Sequence, residues 1–176
     1  MATTSYYVAV SLDGFITRED EVMDWLSNYT APLETPYDYE PFYKTVSAVV
    51  MGRKTYDKVL SFGEYAYPGK PGLVLSKDAD FKVNASGVEV VSFNWKEKLE
   101  TLKASVEGRV WLVGGGEGAN LFGKENLLDE IILTIIPETI GAGLPWLGSV
   151  PLSAGWVPSE NYISTNGVVQ LVYSKR

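Results

Sequence analysis

Six short apolar runs, separated by stretches of helical length and pattern, set the strongest limit on how this chain folds. They read SYYVAVSL (5–12), SAVVMG (47–52), GLVLS (72–76), VEVVS (88–92), RVWLVG (109–114) and EIILTIIP (130–137). The first is β-branched and aromatic and halts at Asp13-Gly14, as a strand does. Between the runs, segments 38–46, 53–61, 94–105 and 116–123 carry helical patterns. In the third of these, Asn94 is predicted as the cap, with Trp95, Leu99, Leu102 and Val106 at helical spacing. Strands that alternate with helices predict βαβ units and a largely parallel sheet. The end of the chain differs: NYISTNGVVQLVYSK (161–175) places Asn166-Gly167 between two β-rich runs, which predicts a two-residue hairpin and an antiparallel finish to the sheet.

At 176 residues, 45% apolar and 21% charged, the chain has the size and composition of one compact domain spanning 1–176. A net charge of −7 opposes unspecific attraction to nucleic acid or to an acidic membrane surface, both of which need a cationic face. The absence of Cys and His removes thiol nucleophiles, disulfides, histidine triads and nearly all zinc and haem sites, so no metal is expected. No leader-like start and no apolar run of roughly 18 residues is present, which leads us to expect a soluble cytoplasmic protein. Segment 27–41, with Pro32, Pro36 and Pro41, is the most irregular and is expected to form a loop over a site.

Chemistry concentrates at strand ends. Four of the five positions 114–118 are glycine, directly after the apolar run at 109–113. Gly114, Gly116 and Ala119 satisfy the dinucleotide fingerprint, in which backbone without Cβ atoms approaches a pyrophosphate at a helix N-terminus. The late position in the chain, and the lack of an acidic residue about 20 positions further on, argue against an ordinary Rossmann domain. GANLFGKE (118–125) fails as a phosphate loop because Glu125 stands where a magnesium-binding hydroxyl is needed. A plain turn needs fewer glycines, so close approach of a ligand is the favoured reading. Gly52, Arg53 and Thr55 open a helix after another buried strand, and Ser76 and Lys77 end a third. Three strand C-termini thus offer anion-binding groups at the edge where open α/β sheets bind ligands.

Taken together, VAVSLDGFI (8–16), VVMGRKTYD (49–57), LVLSKD (73–78), VWLVGGGEGANLF (110–122) and DEIILTIIPETIGAGLPWL (129–147) resemble the dihydrofolate reductase superfamily. The resemblance is closest to the branch holding the reductase domain of the bifunctional riboflavin-biosynthesis deaminase-reductase and its stand-alone relatives. It spans nearly the whole chain, and its specificity comes from MGRKT combined with VGGGEGANLF. It implies a three-layer α/β/α fold with a mixed, mostly parallel sheet of about eight strands ending in an antiparallel C-terminal hairpin. It also implies use of NADPH: Gly52, Arg53 and Thr55 at cofactor phosphates, Ser76 and Lys77 near the adenosine and its 2′-phosphate, and Val113, Gly114, Gly115, Gly116, Glu117 and Gly118 around the pyrophosphate. Ala9 and Ile16 border the nicotinamide in this reading. Arg53 and Lys77, with no acidic residue positioned against an extra phosphate, predict a preference for NADPH over NADH.

The substrate side departs from the family pattern. MDWLSN (23–28) matches the Trp-containing loop of folate reductases and YDYEPFYK (37–44) the helix bearing their carboxylate, and Asp38 and Glu40 compete for that position. Trp25 and Phe42 are the expected substrate-side aromatics, with Trp25 read as an exposed ring that stacks on a flat substrate. Without His or Cys, a proton donor must be an acid of raised pKa, a Tyr, a Lys or a relayed water. Asp38 is preferred because Lys44 is placed to pair with Glu40. Lys44 is also the only cation between 27 and 47, where a sugar phosphate would have to be gripped. Asp13 is read as a turn residue, and Trp111 and Phe122 as core. The expected function is an NADPH-dependent reductase delivering hydride to a C=N or C=O bond of a small heterocycle, pteridine-, pyrimidine- or 5-amino-6-(5-phosphoribosylamino)uracil-like. The alternative is a non-catalytic nucleotide-binding module that keeps the fold. Leu144, Trp146, Leu147, Val150 and Leu152, in a segment with few charges, lead us to expect a homodimer.

Overall fold

The computed structural model describes residues 1–20, 22–29, 32–148 and 155–176. Its strands are β1 (Thr3–Ser11), β2 (Phe15–Thr17), β3 (Val46–Gly52), β4 (Gly72–Leu75), β5 (Val88–Val91), β6 (Arg109–Val113), β7 (Glu130–Ile136), β8 (Leu144–Pro145), β9 (Trp156–Ile163) and β10 (Val169–Lys175). Helices are α1 (Tyr39–Thr45), α2 (Arg53–Ser61), α3 (Trp95–Ser105) and α4 (Gly116–Lys124), and a 3-10 turn spans Asp24–Tyr29. Eight strands form one sheet in the order β5-β4-β3-β6-β1-β7-β10-β9, and β2 pairs with β8 separately. The pairings from β5 through β7 are parallel, while β10 lies antiparallel to β7 and β9 antiparallel to β10. This is the mixed, mostly parallel sheet that the alternation of runs predicts.

Alternation along each strand sends side chains to opposite faces. Tyr6, Val8, Val10, Val50, Val110 and Leu112 pack with Leu99 of α3 and Phe122 of α4. On the other face, Val49, Met51, Trp111 and Val113 pack with Phe42 of α1 and Tyr56 of α2. The expected core residues Trp111 and Phe122 are 7% and 0% exposed. Strands β3 and β6 are neighbours, yet β3 leads through α2 to one side of the sheet and β6 through α4 to the other. Their helices lie on opposite faces, so a crevice opens between the two strand ends at the point where strand order reverses.

Two local expectations are corrected. Asn94 stands before α3 but has φ 43° and makes no side-chain cap bond among the described residues, although Trp95, Leu99, Leu102 and Val106 do meet the core. In the final hairpin, Ser164 N–H donates to Val168 O and Gly167 N–H to Ser164 O, which encloses three residues instead of two. Gly167 alone takes positive φ there, at +85°. A type I turn followed by a left-handed glycine gives this loop, so Asn166 need not leave the ordinary region. Of the residues assigned to a dimer contact, Leu144 is 44% exposed, Trp146 and Leu147 lie against the core, and Val150 and Leu152 fall outside the described residues.

Candidate functional site

The crevice is walled by two helix N-termini. Gly52 precedes α2 and Gly115 precedes α4; neither brings a side chain to cap its helix. The first-turn N–H groups and the positive end of each dipole are therefore offered to a ligand. A Cβ placed on Gly52 meets no atom within 4 Å, so that position faces open space.

The other glycines serve the chain itself as well. Gly114 has φ +126°, and a Cβ there would lie 2.5 Å from Thr55 Oγ1, so the end of β6 sits directly on the first turn of α2. A Cβ on Gly116 would lie 2.5 Å from Pro145 O and 3.1 Å from Gly148 N. Gly115 faces Leu144 and Ile16, and Gly118 makes ordinary contact with Leu112. The expectation that close ligand approach explains all these glycines is corrected: at 114 and 116 the close neighbour is protein. Val113 ends β6, 9% exposed, and Glu117 is exposed in the first turn of α4.

Over this edge, β2 and β8 form a flap that places Ile16 beside the glycine loop. Asp13 holds it. Its carboxylate accepts from Ser11 Oγ at 2.6 Å and from the N–H groups of Ile140 and Gly141, the latter at 2.7 Å. These bonds make Asp13 a turn residue, as read from Asp-Gly. The Ser11 hydroxyl first, and the N–H groups of Gly141 and Ile140 after it, hold the Asp13 carboxyl below its ordinary value of 3.8. A depressed native pKa stabilises the anchored form above the unfolded value, and that contribution disappears as pH falls through the native one. We expect the Ile140 and Gly141 amides to exchange hydrogen faster, relative to the core amides, as pH falls below 3.8, and in Asp13→Ala at neutral pH. Unchanged relative protection in both would show that the flap is held by other contacts.

At the neighbouring strand ends the predicted cations have different fates. Lys77 is exposed and makes no ion pair among the described residues, whereas Arg53 Nη1 contacts Asp78 Oδ2 at 2.9 Å and its guanidinium lies 4.4 Å over the Phe81 ring. The expectation of no acidic residue near these cations is thus corrected. Ser76 is buried, its hydroxyl donating to Asp78 O and accepting from Asp78 N–H, so it shapes the turn. Ala9, half-buried on β1, pairs with Thr134.

The substrate-side residues are redistributed. Trp25 is 4% exposed and packs with Ile136 and Val168, because the 3-10 turn points it inward over the ends of β7 and β10. It is no exposed stacking platform. Phe42 is fully buried, stacked on Tyr7 with ring centroids 4.2 Å apart, and belongs to the core. Asp38 is the N-cap of α1: its Oδ1 accepts from Tyr39 N–H at 2.8 Å and its Oδ2 from Leu33 N–H at 3.2 Å. It stands one residue before the helix, its backbone O accepting from Phe42 N–H at 2.9 Å. Glu40 is exposed, and no Glu40–Lys44 ion pair forms among the described residues. Among the described residues no cluster of acidic side chains could hold a metal ion, and no helix is long and apolar enough to cross a membrane.

Residues 68–163 match the RibD C-terminal domain family. The chain belongs to this family. The uncharacterized protein YwjB of Bacillus subtilis is 36% identical over 144 residues, covering 81% of this chain and 80% of its own. The crystal structure of a protein named for riboflavin biosynthesis, from Shewanella sp. PV-4, superposes with a TM-score of 0.85 at 28% identity, covering 100% of this chain and 99% of the other. Dihydrofolate reductase from Enterococcus faecalis, solved with NADP(H), shares the fold at a TM-score of 0.67 and 18% identity, covering 99% and 96% of the two chains.

For this RibD-type chain, sequence reasoning missed a cluster of tyrosines. Six of its 11 tyrosines lie between residues 37 and 67, a density that was the available signal. Tyr39, Tyr67 and Tyr7 set their rings edge-on around Trp111, at 6.4, 5.4 and 6.0 Å, and Tyr43 stacks on Tyr39 at 5.7 Å. Burial first, and then the charge of Asp38, push the Tyr7 hydroxyl well above its ordinary pKa. Burial does the same to Tyr67. Both therefore stay protonated at neutral pH.

Proposed function

We propose that the protein is an NADPH-dependent reductase acting on a small heterocycle. The observation that carries this reading is the pair of glycine-led helix N-termini without side-chain caps facing one crevice where strand order reverses, with exposed Lys77, which makes no ion pair among the described residues, at the next strand end. A dinucleotide with three phosphate groups suits that donor set: Gly52 and Thr55 with the α2 amides, the α4 amides beside Gly115, and Lys77 at an additional phosphate. When bound, NADPH supplies the hydride. Ala9 and Ile16 lie at the same edge, where they would border the reacting ring and exclude water. Asp38 and Glu40 stay the two candidates for the accompanying proton: Asp38 is held at the start of α1 by the Tyr39 and Leu33 N–H groups, and Glu40 is exposed in the first turn of that helix. Membership of the RibD C-terminal family and the fold shared with a dihydrofolate reductase solved with NADP(H) support the reading.

Calorimetry with NADPH and NADH tests it. The extra phosphate should favour NADPH by about tenfold, the scale of one charge-assisted hydrogen bond. Lys77→Ala should close most of that gap while leaving NADH affinity unchanged. Equal affinities in the unaltered protein refute the cofactor assignment. Tight NADPH binding without consumption across a panel of pteridines and pyrimidines would indicate a binding module instead.

A further inference from the structure

We propose that Asp78 is a specificity-determining residue: its carboxylate holds the Arg53 guanidinium that a 2′-phosphate would otherwise take, so the preference for NADPH over NADH is limited to what the nearby lysines supply. It rests on the reductase reading, for which it assigns the balance between the two cofactors. In the parallel pairing of β3 with β4, Gly52 stands opposite Leu75, so Arg53 and Ser76 leave the sheet side by side. Arg53 opens α2, yet its tip leans away from the crevice. That crevice lies between β3 and β6, whereas β4 is on the other side of β3. Arg53 Nη1 reaches Asp78 Oδ2 at 2.9 Å, and its guanidinium lies 4.4 Å over the Phe81 ring, both in the loop that follows β4. Its other carboxylate contact, from Nε to Asp57 Oδ2 at 3.7 Å, is one turn along its own helix. The guanidinium thus belongs to the strand end that carries Lys77, where the extra phosphate is assigned.

Asp78 is fixed at this point by bonds that do not involve Arg53. Ser76 Oγ donates to Asp78 O and accepts from its N–H, and Phe81 N–H donates to the same carbonyl at 3.4 Å. Asp80 N–H donates to Asp78 Oδ1 at 3.0 Å. Ser76 is itself buried, with its N–H on Val91 O of β5. The carboxylate is therefore held in place before any ligand arrives.

An acid at a strand end accepts from a ribose hydroxyl and opposes a 2′-phosphate, whereas an Arg accommodates one. Here the two stand in a single ion pair. A 2′-phosphate that uses Arg53 must displace the Asp78 carboxylate or lie within reach of its charge, and NADH meets neither cost. Lys54, Lys77 and Lys82, at the start of α2 and in the loop after β4, are exposed and make no ion pair among the described residues. Arg53 is the cation there whose charge is already engaged. Both partners are about half exposed, so the pair contributes little to stability, and its effect falls on which anion Arg53 holds.

Calorimetry with NADPH and with NADH tests this on the parent, Asp78→Asn, Asp80→Asn and the double variant Asp78→Asn/Arg53→Gln. Asp78→Asn keeps an oxygen for Asp80 N–H and removes the charge. It should widen the NADPH-to-NADH affinity ratio by about a further tenfold, through tighter NADPH, with the melting temperature nearly unchanged. Adding Arg53→Gln should return the ratio to that of the parent. Asp80→Asn removes the same charge from a carboxylate that makes no ion pair with Arg53 among the described residues, and should move the ratio by less than about threefold. The role of Asp78 is overturned, and the reductase reading left standing, if NADPH binds but Asp78→Asn leaves the ratio unchanged or tightens both cofactors equally. The same holds if Asp80→Asn widens the ratio as much or if the gain survives without Arg53. Binding of neither cofactor by the parent or any variant overturns the reductase reading and the role of Asp78 together.

Discussion

Gly114→Ala will destabilise the protein by about 2–5 kcal/mol, combining a backbone held at positive φ with an overpacked contact. Gly52→Ala will leave the melting temperature nearly unchanged. The contrast follows from surroundings. At Gly114, φ is +126° and the new Cβ would lie 2.5 Å from Thr55 Oγ1, so Thr55 must turn away from the glycine loop and the residue remains strained. At Gly52 there is open space and an ordinary φ of −77°. If nucleotide phosphate fills that space, Gly52→Ala should weaken NADPH binding by tenfold or more, roughly the 1.4 kcal/mol of one lost close contact. Thermal unfolding and calorimetry on the two variants separate the effects. Full NADPH affinity in Gly52→Ala would place the ligand elsewhere.

The second large effect lies at the opposite end of the sheet. Glu130→Ala should cost about 3–5 kcal/mol, because it strands a partly buried guanidinium. Arg109 Nε and Nη2 reach the Glu130 carboxylate at 2.8 and 2.9 Å, Ser5 Oγ donates to it at 2.6 Å, and the two charged side chains are 22% and 11% exposed. This bidentate pair ties the first residue of β6 to the first residue of β7 across β1, which lies between them. In a domain of this size the loss corresponds to a fall in melting temperature of roughly 6–20 °C. Glu130→Gln, which keeps an acceptor for Ser5, should lose less. A Glu130→Ala melting temperature within about 2 °C of the parent would show that the pair contributes little net stability.

What was legible in the chain was what depends on neighbours along it. The runs at 47–52, 109–114 and 130–137 became β3, β6 and β7 nearly residue for residue, since burial on both faces leaves an uninterrupted apolar pattern. Segments 53–61 and 116–123 became α2 and α4, each led by a glycine. The anion-binding edge was readable because strand, glycine and helix are consecutive.

Asp38, Trp25, Phe42 and Arg53 were placed less well, and for one reason. Their roles depend on partners distant in the sequence or on which way a short irregular segment turns. Trp25 is buried by Ile136 and Val168, more than a hundred positions away. Arg53 meets Asp78 because parallel pairing of β3 with β4 aligns the loops that follow them. Tyr7, Tyr39, Tyr67 and Trp111 come from a strand, a helix, a loop and another strand, and no spacing rule joins them. Local pattern determined the elements, their order and the glycine-led edge. The tertiary structure alone decided which side chains are spent on holding the fold and which hydroxyls and cations remain free for a ligand, because that allocation is set by long-range packing and pairing.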